Sequence, residues 1–428
     1  MAIDGPPHVA HALSLMRFID RSPSPFHVVE SARALLTDAG FKPVDDSTPG
    51  GLLGRRFLVR DGSILAWNAD ADTSPRAPVR IVGAHTDSPN LRLKPQPITD
   101  AYGYRRLGVE VYGGVLLNSW LDRDLGISGR LVVRGGQAQP DERLVHVTEP
   151  LLRIPQLAIH LGRDVNDKGL VLNRQNHLGP IYGLTGSDDI WQVLSELAGV
   201  AQSEILSSDL MLHDVQPSAM LGNDGAFVSA PRIDNQLSCH AAITALTGSS
   251  SPDCVSVVAL FDHEEVGSVS HTGARTTILP RLIDQLVRAR GGQDSDVTAA
   301  LADGLFVSAD NAHGTHPNYP ERHDPDHYIG LNAGPVLKHN SNQRYTTDAR
   351  TAALFHLAAE RAGVSTQEFV SRGDMPCGST IGPTVAASLG MRALDLGCAQ
   401  LAMHSCREIA GAADAWDLTL ILAELLRG

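Results

Sequence analysis

Cysteine is scarce in this chain. Its 428 residues carry five (Cys239, Cys254, Cys377, Cys398 and Cys406), an odd number with no C-x-x-C pair. That disfavours both a disulfide framework and a thiolate zinc site; a reducing cytoplasm fits best, with buried, unreactive thiols the expected role. Basic charge is also short. Thirty-five Lys and Arg against 48 Asp and Glu leave a formal net charge of −13, with an isoelectric point near 5.7. Nucleic acid and anionic membrane surfaces both need clustered cations, so neither is expected as the main partner, and the charge reads as a contribution to solubility. No uninterrupted apolar stretch reaches membrane-spanning length. The opening residues, MAIDGPPHVAHALSLMRFIDRSPSPFHVVESARALL, have no basic start leading into an apolar core and a small-residue cleavage site, so no secretory signal is expected there.

What is present is an ordinary globular composition, 43% hydrophobic and 19% charged, long enough to bury a large core and to form more than one domain. Residues 8 to 40 have helical spacing, with a turn at SPSPF and a cap at Gly40. FLVR and SILAWNA read as short strands, and PVRIVGA (78 to 84) as a buried strand that ends abruptly in HTDSPN. From about 92 the texture changes to short β-rich runs punctuated by glycine and proline, with one helical stretch near SDDIWQVLSELAGVAQSEI. From IDNQLSCHAAITAL onward, apolar strands alternate with helices. This organisation predicts an α/β domain with a mostly parallel sheet, formed by residues 1–91 and 229–428 and interrupted by a β-rich inserted domain over 92–228.

In open α/β sheets, ligands bind beyond the carboxyl ends of the strands, so the polar residues there carry the functional reading. His85 and Asp87 follow PVRIVGA; Glu264 and Glu265 follow VSVVALF; Asp310 follows LFVSA; and His404 lies a short way beyond MRALDLG. Asp234 opens a helix where the chain returns from the insertion. Taken singly, each has an ordinary explanation: a solvated loop histidine, acidic residues at a helix N-terminus, an N-cap aspartate. Together they form a set of imidazoles and carboxylates without thiolate, suited to zinc, manganese or cobalt. A two-metal hydrolase needs a bridging carboxylate, a few terminal ligands and one unligated carboxylate to take a proton from water. Adjacent glutamates would then divide the labour, one as ligand and one as base.

The motifs AHTDSPN, PRIDNQ, DHEEVGS, SADNAHGTHPN, LKHNSNQRY, DMPCGSTIGP and AMHSCREIAG resemble, in order and context, those of the M18 metallo-aminopeptidases, the aspartyl aminopeptidase group. The resemblance covers nearly the whole chain. It implies two divalent metal ions per subunit, zinc first, with cobalt or manganese as alternatives. His85 and Asp310 would hold one ion, Glu265 and His404 the other, and Asp234 would bridge them. Glu264 would be the general base, and Asp87 the carboxylate that orients the His85 imidazole. It also implies that the α/β domain is a zinc-peptidase-type catalytic domain interrupted by the β-rich insertion, and that the protein is a homo-oligomer, a tetrahedral dodecamer, acting on peptide substrates. Lys338 stands where the group places a cation for an acidic side chain, against the plainer reading of a solvated lysine. Ser379 and Thr380, in a glycine-rich turn, either line the substrate cleft or simply close a tight loop. A metal-dependent amidase or carboxypeptidase, and an aminopeptidase preferring neutral residues such as Leu, remain as alternatives. The alternation of Leu157, Ile159 and Leu161 predicts a strand with His160 on its opposite face; the resemblance sends His160 into the active site of a neighbouring subunit.

Overall fold

Period-two alternation builds the central sheet. In the Val255–Phe261 strand, Val255, Val257, Ala259 and Phe261 belong to one buried cluster and Val258 and Leu260 to another. Successive strand residues point to opposite faces, so this strand is covered on both sides, as the centre of a parallel α/β sheet requires. The computed structural model describes residues 6–44, 51–136 and 139–428. Among them the sheet has nine strands, in the order Lys42–Pro43, Gly54–Arg60, Ser63–Ala69, Val255–Phe261, Val79–His85, Leu305–Ala309, Ala393–Gly397, Val336–His339 and Gln367–Val370. The four from Val255–Phe261 to Ala393–Gly397 run parallel. The Gly54–Ala69 hairpin and the Val336–His339 strand join them antiparallel.

Helices Pro7–Arg21, Pro25–Asp38, Ile233–Gly248, Ala349–Ala362 and Asp414–Arg427 pack one face. Ile278–Ala289, Asp294–Ala302 and Ile381–Leu389 pack the other. The predicted N-terminal helical pair is present: Ser24 caps the second helix by accepting from His27 N. Gly40, at φ +84, turns the chain out of it, a conformation glycine adopts at no steric cost.

Contacts divide the chain into two units: Met1–Asp87 with Ser218–Met403 and Glu408–Gly428, and Ser88–Pro217 with His404–Arg407. These breaks differ from the boundaries read at 91/92 and 228/229. The second difference has a clear cause. Strands Ala219–Leu221 and Phe227–Ala230 pair onward to Glu408–Gly411 in a five-stranded sheet of the first unit, and short β-rich texture does not reveal which sheet a strand will join.

In the second unit, the strand Ile205–Asp214 pairs with both Asn90–Ala101 and Asp124–Val133, which closes the sheet around Leu107, Ile127, Leu131, Leu210 and Leu212. The predicted helix is Ile190–Ala198, capped by Asp189 accepting from Trp191 N and ended by left-handed Gly199. The strand expected around His160 is not formed. Residues 155–161 are irregular, Leu161 N donates to Ala158 O in a turn, and His160 is exposed within it. Leu157, Ile159 and Leu161 are 68%, 46% and 75% exposed. Alternating apolar residues make a strand only when one face is buried and the backbone pairs with a neighbour.

Candidate metal centre

Parallel register brings the strand ends together. Phe261 lies opposite His85, and Ser308 opposite Gly83, so Asp262–Glu265 and Asp310 emerge beside His85 and Asp87. Thr86 N donates to Phe261 O at 2.8 Å, tying the first two exits together. Behind Asp310 the backbone of Gly397 approaches so closely that a Cβ there would collide with the Asp310 carbonyl.

His85 is buried. Its Nε2 lies 3.4 Å from Asp234 Oδ1 and 3.6 Å from Asp310 Oδ1. Its Nδ1 is 2.9 Å from the backbone carbonyl of Asp87 and 3.5 Å from the carboxylate. The orienting acceptor expected from the Asp87 side chain is therefore chiefly its main chain. The Asp87 carboxylate is engaged elsewhere, with Oδ1 accepting from Glu264 N at 3.0 Å and Oδ2 from Glu265 N at 3.1 Å. It clamps the short 3₁₀ turn Glu264–Val266 that carries both glutamates. Asp234 and Asn235 sit at the head of the Ile233–Gly248 helix with non-helical backbone angles, so Asp234 precedes the regular helix.

The donors His85, Asp234 and Asp310 lie within 4.8 Å of one another, as do those of His85, Glu264 and Glu265. The electrostatics call for a cation. Burial acts to lower the His85 pKa, but Asp234, Asp310 and Asp87 outweigh it and hold the imidazole well above its ordinary value. Burial pushes the Glu264 carboxyl up to about 8, opposed by His85 and reinforced by Asp310, Asp87 and Asp234. Such a cluster gathers positive charge, from protons or from metal. Cys239 offers no thiolate: its Sγ donates to His85 O at 3.0 Å, and burial pushes its pKa up to about 12. Nitrogen and oxygen donors alone fit a zinc, cobalt or manganese ion.

The other named residues are placed as follows. His404 belongs to the second unit, where Nδ1 pairs with Gly114 O at 3.1 Å. Lys338 is no solvated lysine: it is 2% exposed, and its ammonium donates to Asn311 O at 3.0 Å and lies 3.7 Å from Asp310 Oδ2. Ser379 is exposed. Thr380 caps the Ile381–Leu389 helix by accepting from Gly382 N, and its hydroxyl donates to buried Asp395; the Thr380 hydroxyl thus closes the tight turn. Asn235, Asn311, Gln400 and Glu408, all buried around Asp234 and Asp310, were not singled out from sequence. For the two asparagines, the repeated Asp-Asn dipeptide was the available signal.

A carboxylate-rich, thiolate-free donor cluster at the carboxyl ends of a parallel α/β sheet is the site of a metallohydrolase of the zinc-peptidase type. The profile of the aminopeptidase I zinc metalloprotease (M18) family matches residues 18–425, and the chain belongs to that family. A probable M18 family aminopeptidase 2 of Mycobacterium leprae is 49% identical over 413 residues, covering 95% of this chain and 96% of its own length. Among solved structures, a chain of the cryo-EM structure of the Ape4 and Nbr1 complex aligns with a TM-score of 0.95 at 35% identity, covering 100% of this chain and 88% of that one. The S. cerevesiae mApe1 dodecamer aligns with a TM-score of 0.84 at 30% identity, over 97% of this chain and 96% of that one. No helix among the described residues is long and apolar enough to cross a membrane.

Proposed function

We propose that this aminopeptidase removes one N-terminal residue from peptides with the help of two divalent ions, zinc in the first place and cobalt or manganese as substitutes. His85, Asp234, Glu265, Asp310 and His404 would hold the ions, His85 and Asp310 on one, Glu265 and His404 on the other, with Asp234 serving both. When bound, the ions supply Lewis-acid polarisation of the scissile carbonyl and acidify water. Glu264 takes the proton and returns it to the leaving amine. The free α-amino group meets the carboxylates of the site, which is how the enzyme counts from the chain end.

The observation that carries this reading is the treatment of the two glutamates: the Asp87 carboxylate fixes both backbone N–H groups, and a donor atom of each side chain lies within 4.8 Å of a His85 ring nitrogen. Glu264→Gln should retain both metals while the turnover number falls on the order of 10²-fold or more. Metal analysis beside steady-state kinetics tests it, because loss of metal together with activity would make Glu264 a ligand. An amidase or carboxypeptidase on the same fold would accept N-acylated substrates.

Substrate preference turns on Lys338. Its charge is already committed to Asp310 and to the Asn311 carbonyl, which favours neutral N-terminal residues such as Leu over Asp or Glu. Relative rates on aspartyl and leucyl substrates separate the two. The dodecameric relative supports a homo-oligomer, read here as a tetrahedral dodecamer working in the cytoplasm. In it the exposed His160 of one subunit would reach the site of another and hydrogen-bond the substrate carbonyl.

A further inference from the structure

Both candidate metal aspartates are followed by asparagine, Asp234-Asn235 in PRIDNQ and Asp310-Asn311 in SADNAH. The two asparagine side chains are buried, and they cross. Asn235 Nδ2 donates to the carbonyl of Ala309, the residue before Asp310, at 2.8 Å. Asn311 Nδ2 donates to the carbonyl of Ile233, the residue before Asp234, at 2.9 Å. Each aspartate is thus bracketed between its own asparagine and a carbonyl held by the other one.

The grip on Asp234 extends further. The Ile233–Asp234 peptide is fixed at its carbonyl by Asn311 and at its N–H by Glu408 Oε2, at 2.9 Å. Gln400 joins these two anchors: its Nε2 donates to Glu408 Oε1 at 3.3 Å, and its Oε1 accepts from Asn311 Nδ2 at 2.9 Å. Gln400 thus turns its NH₂ to Glu408 and its carbonyl to Asn311, using the donor and the acceptor of one amide. Both hydrogens of the Asn311 amide are then assigned, one to Gln400 and one to Ile233. The carboxylates held this way converge on one imidazole, at 3.4 and 3.6 Å from His85 Nε2.

We propose that Asn235 and Asn311 are a reciprocal pair of positioning residues that set the separation of the Asp234 and Asp310 carboxylates, and with it the affinity and geometry of metal binding. This rests on the reading of those aspartates as ligands. A merely structural pair would stabilise the fold and leave a folded site's metal affinity alone. A positioning pair changes affinity even where the fold holds, and outer partners of metal ligands typically contribute 10–100-fold.

The test uses the full chain, stripped by chelation and titrated with Co²⁺, with equilibrium dialysis, the visible Co²⁺ spectrum and denaturant unfolding of the metal-free protein as readouts. Asn235→Ala and Asn311→Ala should each weaken Co²⁺ binding roughly 10–100-fold and alter the spectrum. The double variant should lose less than the product of the two, since one clamp is broken once. If the alanine variants do not fold, Gln400→Met leaves both asparagines in place and removes the acceptor that orients Asn311; it should give the same change in smaller measure. Folded variants with wild-type affinity and spectrum would overturn the clamp and leave the metal site standing. A wild-type chain that binds no Co²⁺ would overturn the metal reading, and the clamp with it.

Discussion

A single carboxylate shows how this site is held. Asp87 is fully buried, and its two oxygens are used on two successive backbone N–H groups, of Glu264 and Glu265. Asparagine has the same shape but one acceptor oxygen, so Asp87→Asn leaves one of those N–H groups facing an NH₂. A buried donor without its acceptor costs about 1–3 kcal/mol, and the turn can relieve this only by moving. Because displacements near 1 Å can cost on the order of 10²-fold in rate, Asp87→Asn should lower kcat by roughly tenfold or more with little change in KM. Steady-state kinetics check it, and a raised KM with kcat intact would contradict the assignment. From sequence, Asp87 was legible as a residue near the site. Its partners were not, since a side chain accepting from backbone N–H groups 177 and 178 residues away leaves no local pattern. Lys338 is a second case. Its burial against Asp310 depends on the Val336–His339 strand joining the sheet antiparallel, beyond the reach of the motif that contains it.

Among the elements, the principal strands and helices of the catalytic unit were legible because both periods were strong, while the helices Asp294–Ala302 and Ile381–Leu389 and the strands Val336–His339 and Gln367–Val370 were not. VSVVALF and LFVSA are apolar apart from Ser256 and Ser308 and proved buried on both faces. The 155–161 segment was misread for the complementary reason: its alternation is real, but Leu157, Ile159 and Leu161 stay exposed among the described residues. The helical layer adds a feature that periodicity does not announce. His11 on Pro7–Arg21 packs its ring 4.7 Å from that of His240 on Ile233–Gly248 and 5.4 Å from Trp416 on Asp414–Arg427. Burial lowers His11 to about 4 and His240 well below its ordinary value. The unfolded chain therefore takes up these protons first as pH falls through about 6.5, and stability is lost from there toward pH 4; above that window neither group contributes. For His11 alone the loss at pH 5 is about 2 kcal/mol. Denaturant unfolding at pH 7.5 and 5 should show the drop, and His11→Gln should reduce it. Equal drops in both proteins would contradict the assignment.

For the whole molecule, the two-unit organisation was legible as a change of texture, and the exact boundaries were not, because strand pairing decides them. Subunit number had no signature in composition or spacing. If His160 completes a neighbour's site, two inactive proteins, His160→Ala and Glu264→Gln, should regain part of their activity when dissociated, mixed and reassembled. No recovery in confirmed mixed oligomers would confine His160 to its own chain or to a structural role. Beneath the question of assembly lies a simpler proposition, that two ions on nitrogen and oxygen ligands drive cleavage next to a free amino terminus. It is tested most directly by stripping the protein with a chelator and titrating zinc or cobalt back. Hydrolysis of an aminoacyl substrate and of its N-acetylated counterpart would be followed at each step. The metal-free protein should be inactive, activity should rise and saturate at about two ions per chain, and the acetylated substrate should stay uncleaved at every point. Full activity without metal, or equal cleavage of both substrates, would contradict that proposition.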